Sequence, residues 1–123
     1  MTLYLNFDDA LRLVRDLGIG PVVDPGILDS ALHRPRSVIY GEEVYGDIAA
    51  KAAVLLESIV RNHPLVDGNK RLGWLCVVVF CGLNGVDVEA RDDDVFDLVV
   101  AVAEGKAPWP EVAEKLRPML RLA

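Results

Sequence analysis

The chain has 123 residues, of which 52% are hydrophobic and 26% are charged, and its formal net charge is -6. This length suits a single domain covering residues 1–123, and the composition is that of a soluble globular protein rather than a disordered tail. A general nucleic-acid surface needs a basic face to release counterions from phosphates. We therefore do not expect this acidic chain to bind nucleic acid directly.

The N-terminal residues, 1–9, have no basic start before an apolar run and no small-residue cleavage site, so no signal peptide is expected. Residues 72–83 form a run of twelve uncharged residues, whereas a membrane-spanning helix takes roughly 20 apolar residues. We expect a cytoplasmic protein without a membrane span. Cys76 and Cys81 lie five residues apart in this run, on different faces of a helix, which predicts two buried free thiols rather than a disulfide or a metal pair.

In chain order, residues 8–17 have helical apolar spacing and predict a first helix, and residues 18–23 indicate a loop. Asp24 followed by Pro25 is typical of a helix start, and this second helix should close before Pro35. Residues 36–46 have no helical period and carry β-branched and aromatic residues around a glycine. They predict a short hairpin or an ordered loop.

Two longer helices should follow. Residues 47–60 have apolar side chains at three- and four-residue steps, and the uncharged run 72–83 suits a buried central helix that stops at the following asparagine and glycine. Residues 86–89 suggest a brief extended piece, and the acidic residues 92–94 open another helix. A last helix is predicted over residues 111–122, which Pro118 can kink or end. Together these elements predict a compact all-α domain.

Residues 61–71, between the two longer helices, concentrate polar and special-backbone residues. Pro64 cannot continue a helix and disfavours helical geometry at His63, which we therefore expect to be extended. Gly68 permits a turn closed to residues with a side chain, and Asn69 is expected to cap the next helix. The backbone amides that should then point into one concavity are those of Gly68, Asn69, Lys70 and Arg71.

Such a helix N-terminus binds anions, and phosphate is the natural guest. Lys70 and Arg71 add positive charge; Arg61 either adds a third cation or is a solvated charge at a helix end. Asp67 is explained if it holds a magnesium ion that bridges phosphate oxygens, or else as a salt-bridge partner of one of the two neighbouring cations. His63 is suited to take a proton from an attacking hydroxyl, because imidazole changes protonation near neutral pH.

Residues 63–71, His-Pro-Leu-Val-Asp-Gly-Asn-Lys-Arg, resemble the signature loop of the Fic/Doc family, His-x-Phe-x-Asp/Glu-Gly/Ala-Asn-Gly/Lys-Arg. Lys70 resembles the Doc (death-on-curing) branch, since Fic proteins carry glycine there, and Arg61 also resembles Doc. The likeness continues through residues 26–35, 40–41 and 51–53 in order and spacing, and covers roughly residues 3–105.

This resemblance implies a Fic-fold helical domain with a short flap before the central helices. In the family, the flap docks a target segment beside the signature loop by adding a strand to it. The corresponding stretch here is roughly residues 37–45, and a plain connecting loop is the alternative reading.

The resemblance also implies an activity, because the family transfers part of ATP onto a hydroxyl of a target protein. Fic enzymes move adenosine monophosphate, whereas Doc moves the terminal phosphate and is a kinase. The Fic glycine leaves room for the α- and β-phosphates, while Lys70 fills that space, which implies a reversed nucleotide pose with the γ-phosphate beside His63. The implied site has His63 as the catalytic base, Asp67 as the magnesium ligand, and as nucleotide-phosphate ligands Arg61, Gly68, Asn69, Lys70 and Arg71.

The implied biology is that of a toxin in a toxin–antitoxin system. The expected target is elongation factor Tu, whose phosphorylation would halt translation. No Ser/Thr-x-x-x-Glu inhibitory motif occurs in the sequence, so inhibition is expected from a separate Phd-like antitoxin. Adenylyl transfer and an inactive Fic-fold binding module remain alternatives.

Two positions depart from the family pattern. Leu65 replaces the phenylalanine that anchors the loop in the core, and a smaller anchor loosens a loop unless it buries well. Trp74 stands where Fic proteins carry a second arginine, which further weakens the adenylyl-transfer alternative.

Overall fold

The computed structural model describes all residues, 1–123, as a helical fold with two small strand pairs. The helices are α1 (Phe7–Leu17), α2 (Pro25–His33), α3 (Ile48–Asn62), α4 (Asn69–Leu83), α5 (Asp92–Ala103) and α6 (Trp109–Leu116). The strands are β1 (Val38–Ile39), β2 (Glu42–Glu43), β3 (Val86–Val88) and β4 (Leu120–Leu122). β1 pairs with β2, and β3 with β4, both antiparallel. Short 3₁₀ turns follow α2 and α6. The predicted all-α class is confirmed.

Helix α3 is the centre of the molecule, and it packs against α2, α4, α5 and α6. Eleven of its residues are buried, most of them apolar, and they contribute to a core cluster of 26 residues. A helix that is apolar on every side must be enclosed by its neighbours. The other elements therefore pack around α3, and the polar loop, residues 63–68, follows its C-terminal end.

Side-chain caps fix where the helices begin. The Asp24 carboxylate accepts a hydrogen bond from the Ile27 amide at 3.0 Å, as predicted for the start of α2. The Asp47 carboxylate accepts from the Ala50 amide at 2.8 Å and so caps α3. That amide, with help from nearby Arg117, holds the pKa of Asp47 below its ordinary value. These contacts satisfy amides that have no partner within the helix.

The last helix, predicted over residues 111–122, begins two residues earlier than predicted, and the expectation that Pro118 can end it is confirmed. Helix α6 begins at Trp109, with Pro110 in its first turn, where the missing proline amide would have had no partner anyway. It stops at Leu116 because Pro118 cannot continue it. The final residues instead form β4, whose Leu120 pairs with Val88. The extended piece predicted at 86–89 is confirmed, and β4 is the partner that satisfies its backbone.

Helix α4 fits the prediction of a buried central helix on one face only: Leu72, Cys76, Val77 and Phe80 are buried, whereas Val78 and Leu83 are exposed. It has 15 residues, and no helix in the structure combines the length and the apolar character that crossing a membrane requires. Both cysteines are buried and unpaired, as predicted. Burial raises the pKa of Cys76 to about 12 and that of Cys81 to about 11, so both remain neutral thiols near neutral pH.

Helices α3 and α4 approach closely because Gly73 has no side chain. A Cβ atom at this position would lie 2.7 Å from Cγ2 of Val60 and 3.1 Å from Cδ1 of Leu56. The far side of α4 is open, since a Cβ at Gly82 would meet no atom within 4 Å. The glycine at 73 therefore sets the spacing between the two helices that carry the loop.

Replacing Gly73 by alanine should destabilise the fold relative to Gly82→Ala. Both changes gain the same helix propensity, about 1 kcal/mol, but only the methyl at 73 overpacks the core, which costs about 1–3 kcal/mol. Urea unfolding should give Gly73→Ala the lower free energy of unfolding by about that difference. Equal values for the two variants would contradict the close helix contact.

Candidate active-site loop

The loop between α3 and α4 begins with an unusual backbone conformation. His63 caps the end of α3 with φ 52° and ψ 61°, in the left-handed region, so the prediction of an extended His63 is wrong. Pro64 excludes only the right-handed helical region at the residue before it. The left-handed conformation also ends a helix, and it turns the chain back toward α4. The imidazole is exposed and makes no hydrogen bond to the protein.

Below His63 the loop is anchored in the core. Pro64 is buried, and Leu65 is only 3% exposed and belongs to the main core cluster. Leu65 is thus fully buried at the position where the family pattern has phenylalanine. Val66 and Asp67, the next two residues, are exposed again.

A second segment, residues 19–24, holds the loop through its backbone, and we call it the strap. The Val66 amide donates to the Pro21 carbonyl at 3.0 Å, and the Gly20 amide donates to the Asp67 carbonyl at 3.0 Å. Amides of the strap also donate to the Pro64 carbonyl, and an isolated bridge joins Val22 to Leu65. The sequence predicted only a loop at 18–23, and nothing in its local pattern indicated this pairing.

Gly68 makes the turn into α4. Its φ is 95°, a value that residues with a side chain rarely adopt. A Cβ atom here would lie 2.6 Å from Cβ of Ile19, the first residue of the strap. The predicted glycine turn is therefore confirmed for two reasons, backbone conformation and close approach of the strap.

Asn69 does not cap α4, contrary to the prediction. The turn at Gly68 starts the helix one residue earlier, so Asn69 is the first helical residue and Gly68 is the cap. The Asn69 carboxamide faces the loop instead: it accepts from the Leu65 amide at 2.9 Å and donates to the Leu65 carbonyl at 3.0 Å. The oxygen and the nitrogen of the Asn69 carboxamide thus bind both backbone polar groups of Leu65.

The start of α4 carries free donors and positive charge. The first amide of this turn that donates within the helix is that of Leu72, to the Gly68 carbonyl at 2.9 Å. Lys70 and Arg71 are exposed and form no ion pair. The preceding amides that donate no hydrogen bond are those of Gly68, Asn69, Lys70 and Arg71. Free amides, the positive helix end and two unpaired cations together suit an anion.

The Asp67 carboxylate lies next to this cationic turn without being neutralised by it. It is exposed and makes no ion pair with Lys70 or Arg71, so the salt-bridge alternative is not observed. No group of three or more metal-binding side chains surrounds it. A cation held here would therefore take its remaining ligands from a bound anion and from water, which is how magnesium is usually bound with phosphates.

Arg61 is directed elsewhere. Its Nη1 atom donates to the Ala103 carbonyl at 2.8 Å, at the C-terminal end of α5, and the guanidinium lies against Gly105. A cation at this end of a helix is favoured by the helix dipole. The structure does not bring Arg61 into the group formed by Lys70 and Arg71, and its role as a phosphate ligand stays a prediction.

The cationic turn opens into an apolar groove of about 480 Å³ between α4, β3 and α5. Lys70 and Arg71 lie at this groove, and most of its other lining is apolar, including Trp74, Val78, Val95, Phe96 and Val99. Trp74, which departs from the family pattern, is therefore part of the surface next to the candidate phosphate site. Sequence reasoning did not find the groove, because β3 and α5 reach it only through the tertiary fold.

The predicted hairpin is confirmed at residues 37–44. Tyr40 and Gly41 form its turn with φ values of 51° and 78°, and the Val44 amide donates to the Ser37 carbonyl at 3.0 Å. Its strand side chains are exposed. A cavity of about 350 Å³, lined in part by Ser37 and Asn62, lies between the base of the hairpin and the end of α3.

A helical domain with this hairpin, and with a His-to-Arg loop closing on a helix N-terminus, has the features of the Fic/DOC family, and the chain belongs to that family. The family model matches residues 3–81. The chain is also 40% identical over 122 residues to Toxin Doc of Mycolicibacterium smegmatis, across 94% of this chain and 92% of that protein. The resemblance based on the signature loop is thus confirmed.

Gly68→Ala should disrupt the loop far more than Gly18→Ala. Both glycines have positive φ, 95° and 66°, but only a methyl at 68 collides with the strap. The left-handed conformation costs a non-glycine residue about 1–2 kcal/mol, and the clash adds to this for Gly68 alone. Hydrogen exchange should show faster exchange of the hydrogen-bonded amides of Gly20, Val66 and Leu72 in Gly68→Ala only. Similar exchange in both variants would contradict the close approach of Ile19.

Asn69→Ala should loosen the loop by removing both hydrogen bonds to Leu65. An unsatisfied buried amide costs about 1–3 kcal/mol, so the free energy of unfolding should fall and the Leu65 amide should exchange faster. Asn69→Asp is the matched control, since a carboxylate keeps the acceptor for that amide and loses only the donor. We expect it to fall between wild type and Asn69→Ala; equal protection of Leu65 in all three proteins would contradict the contact.

Proposed function

We propose that this protein is a Doc-type toxin of a toxin–antitoxin system that transfers the γ-phosphate of Mg-ATP to a serine or threonine hydroxyl of a translation factor. Membership of the Fic/DOC family and the 40% identity to Toxin Doc support a toxin of this type. The observation that carries the chemistry is the start of α4, where free amides meet the unpaired cations Lys70 and Arg71.

The residues present fit an Mg-ATP substrate. Gly68 turns the chain into α4 with a φ of 95°, and the adjoining amides have no protein acceptor. Asp67 offers a free carboxylate beside them. When bound, Mg-ATP supplies the phosphoryl group and the metal charge that offsets its negative oxygens. The nucleotide-phosphate ligands we propose are the amides of Gly68 and Asn69 together with Lys70 and Arg71, with Asp67 as the metal ligand.

His63 is the proposed catalytic base. Its left-handed backbone places it at the exposed corner between the two helices, and no protein group occupies its imidazole through a hydrogen bond. A neutral imidazole there can accept the proton of an attacking hydroxyl. The fixed loop below supplies positioning and charge, which account for most of the catalysis of phosphoryl transfer. Arg61, which contacts α5, has no step assigned to it here.

Lys70 favours phosphoryl over adenylyl transfer. Its side chain lies at the start of α4, where the Fic branch has glycine, and it takes room that the α- and β-phosphates of an adenylylating enzyme need. Its position beside the free amides supports a pose that directs the terminal phosphate toward His63. The hairpin, residues 37–44, offers the free edge of β1 to a target segment, which can bind there as an added strand.

The proposed partners follow the same reasoning. Elongation factor Tu is the proposed target, and a Phd-like antitoxin in a separate chain is the proposed inhibitor.

The transfer can be measured by incubating the protein with elongation factor Tu and ATP labelled at either the γ- or the α-phosphate. We expect label from the γ position only, a loss of about 10²–10⁴-fold in His63→Ala, and loss of transfer in Asp67→Ala or with a chelator. His33→Ala is the matched control, because His33 is an exposed histidine at the end of α2, outside the loop, and should retain wild-type transfer.

The other outcomes identify the alternatives. Incorporation from the α position would establish adenylyl transfer, and incorporation from neither position would contradict a transferase acting on this target and favour a binding module. Full activity with the chelator would exclude the metal role of Asp67. Retained activity in His63→Ala would exclude the catalytic base.

A further inference from the structure

Lys51 is the only charged residue among the buried ones, with 1% of its surface exposed. It lies in the first turns of α3 between the buried residues Ala50 and Ala52. A buried ammonium group loses its hydration, and this destabilises the fold strongly unless the charge is paired and hydrogen-bonded. An apolar side chain would pack α3 without that cost, so the reason for a lysine must lie in what its Nζ atom contacts.

Both partners of Lys51 belong to the segment that leads out of the hairpin. Nζ donates a hydrogen bond to the backbone carbonyl of Tyr45 and lies 3.3 Å from Oε1 of Glu43 in β2. The lysine therefore reaches back from α3 and holds the second strand of the hairpin. The contact to a carbonyl fixes the backbone itself and not only a side chain.

Tyr45 is held at its other end as well. Its ring packs edge-on against Trp109 with ring centroids 5.0 Å apart, and its hydroxyl accepts a hydrogen bond from Nε of Arg34 at 3.2 Å. Arg34 in turn pairs with Glu57 of α3 at 2.8 Å. The base of the hairpin is thus fixed to α3, whereas its tip, at Tyr40 and Gly41, is fully exposed.

Helix α3 connects this anchor to the candidate active site. Lys51 lies near its start and Asn62 is its last residue, a separation of roughly 17 Å at 1.5 Å per residue. The cavity beside Ser37 and Asn62 shows that the hairpin base and the end of α3 border the same space. A helix buried as fully as α3 behaves as a rigid rod, so the orientation of the hairpin relative to His63 is set where the hairpin is fastened to it.

We propose that Lys51 is a positioning residue, which holds the hairpin, residues 37–44, in the pose that presents a target segment to His63. Its ammonium group does so through the Tyr45 carbonyl and the Glu43 carboxylate. The anchoring is independent of any reaction, while its consequence for target binding rests on the proposed function. Loss of the anchor should weaken the binding of the target and leave the phosphate site at the start of α4 intact.

The anchor is tested by hydrogen exchange in Lys51→Met, which keeps the apolar stem and removes the ammonium. We expect the hairpin amides, that of Val44 above all, to exchange about tenfold faster, while the amides of α3 and α4 keep wild-type rates. Lys106→Met is the matched control, since Lys106 is exposed and its pair with Glu104, at 3.2 Å, lies outside the hairpin. It should change neither region.

A second variant keeps the proposal testable if Lys51→Met does not fold. Glu43→Gln removes only the exposed ionic partner and should raise exchange of the same hairpin amides by a smaller factor. Unchanged hairpin exchange in Glu43→Gln and Lys51→Met, or an even rise over the hairpin and α3, would overturn the proposal. Because exchange needs no transfer reaction, this result stands whether or not the protein is a kinase.

Kinetics test the consequence of the anchor. If wild type transfers phosphate, Lys51→Met should raise KM for the target about tenfold with kcat within about twofold of wild type, because uniform binding is lost and the chemical step is kept. A fall in kcat at unchanged KM would overturn the positioning role. Absence of transfer in wild type would count against the proposed function alone, since the exchange result would be unaffected.

Discussion

The backbone pairing between the strap and the loop is the constraint on which the candidate site depends. Residues 64–67 have no regular structure of their own, yet the Val66 amide and the carbonyls of Pro64 and Asp67 find partners in residues 19–24. Burial of Leu65 and the double contact of Asn69 hold the loop from the side of the core. A loop fixed on both sides holds the free amides at the start of α4 in place, and preorganised donors of this kind suit the stabilisation of a negative charge.

Helix α3 connects the loop at His63 with the hairpin. Its C-terminal end carries His63 in a conformation that turns the chain back, and its N-terminal part holds the hairpin through Lys51. Between these ends it is buried on nearly every side, and Gly73 lets α4 lie close against it. The core thus does more than stabilise the fold, because it fixes how far the hairpin, the imidazole and the start of α4 lie from one another.

Most helices, the hairpin, the buried thiols and the turn at Gly68 could be predicted from the sequence. Each depends on signals that act within a few residues: apolar spacing, a cap such as Asp24, a proline, or a glycine where φ is positive. The errors near the loop were also local. Pro64 excludes the right-handed helical region at His63 and not the left-handed region that His63 adopts. Helix α4 begins one residue earlier than predicted, so Asn69 does not cap it and binds the backbone of Leu65 instead.

The sequence by itself determined that one polar, glycine-turned stretch lies between two apolar helices, and that this stretch carries the residues of a Fic/DOC loop. Only the tertiary structure decided which distant groups complete it: the strap beneath the loop, the α5 carbonyl that takes Arg61, the strand β4 that pairs with β3, and the hairpin backbone held by Lys51. The reason is that apolar spacing and turn residues report conformation within a few positions. The partner of a backbone amide or of a buried charge is chosen by packing between segments far apart in the chain.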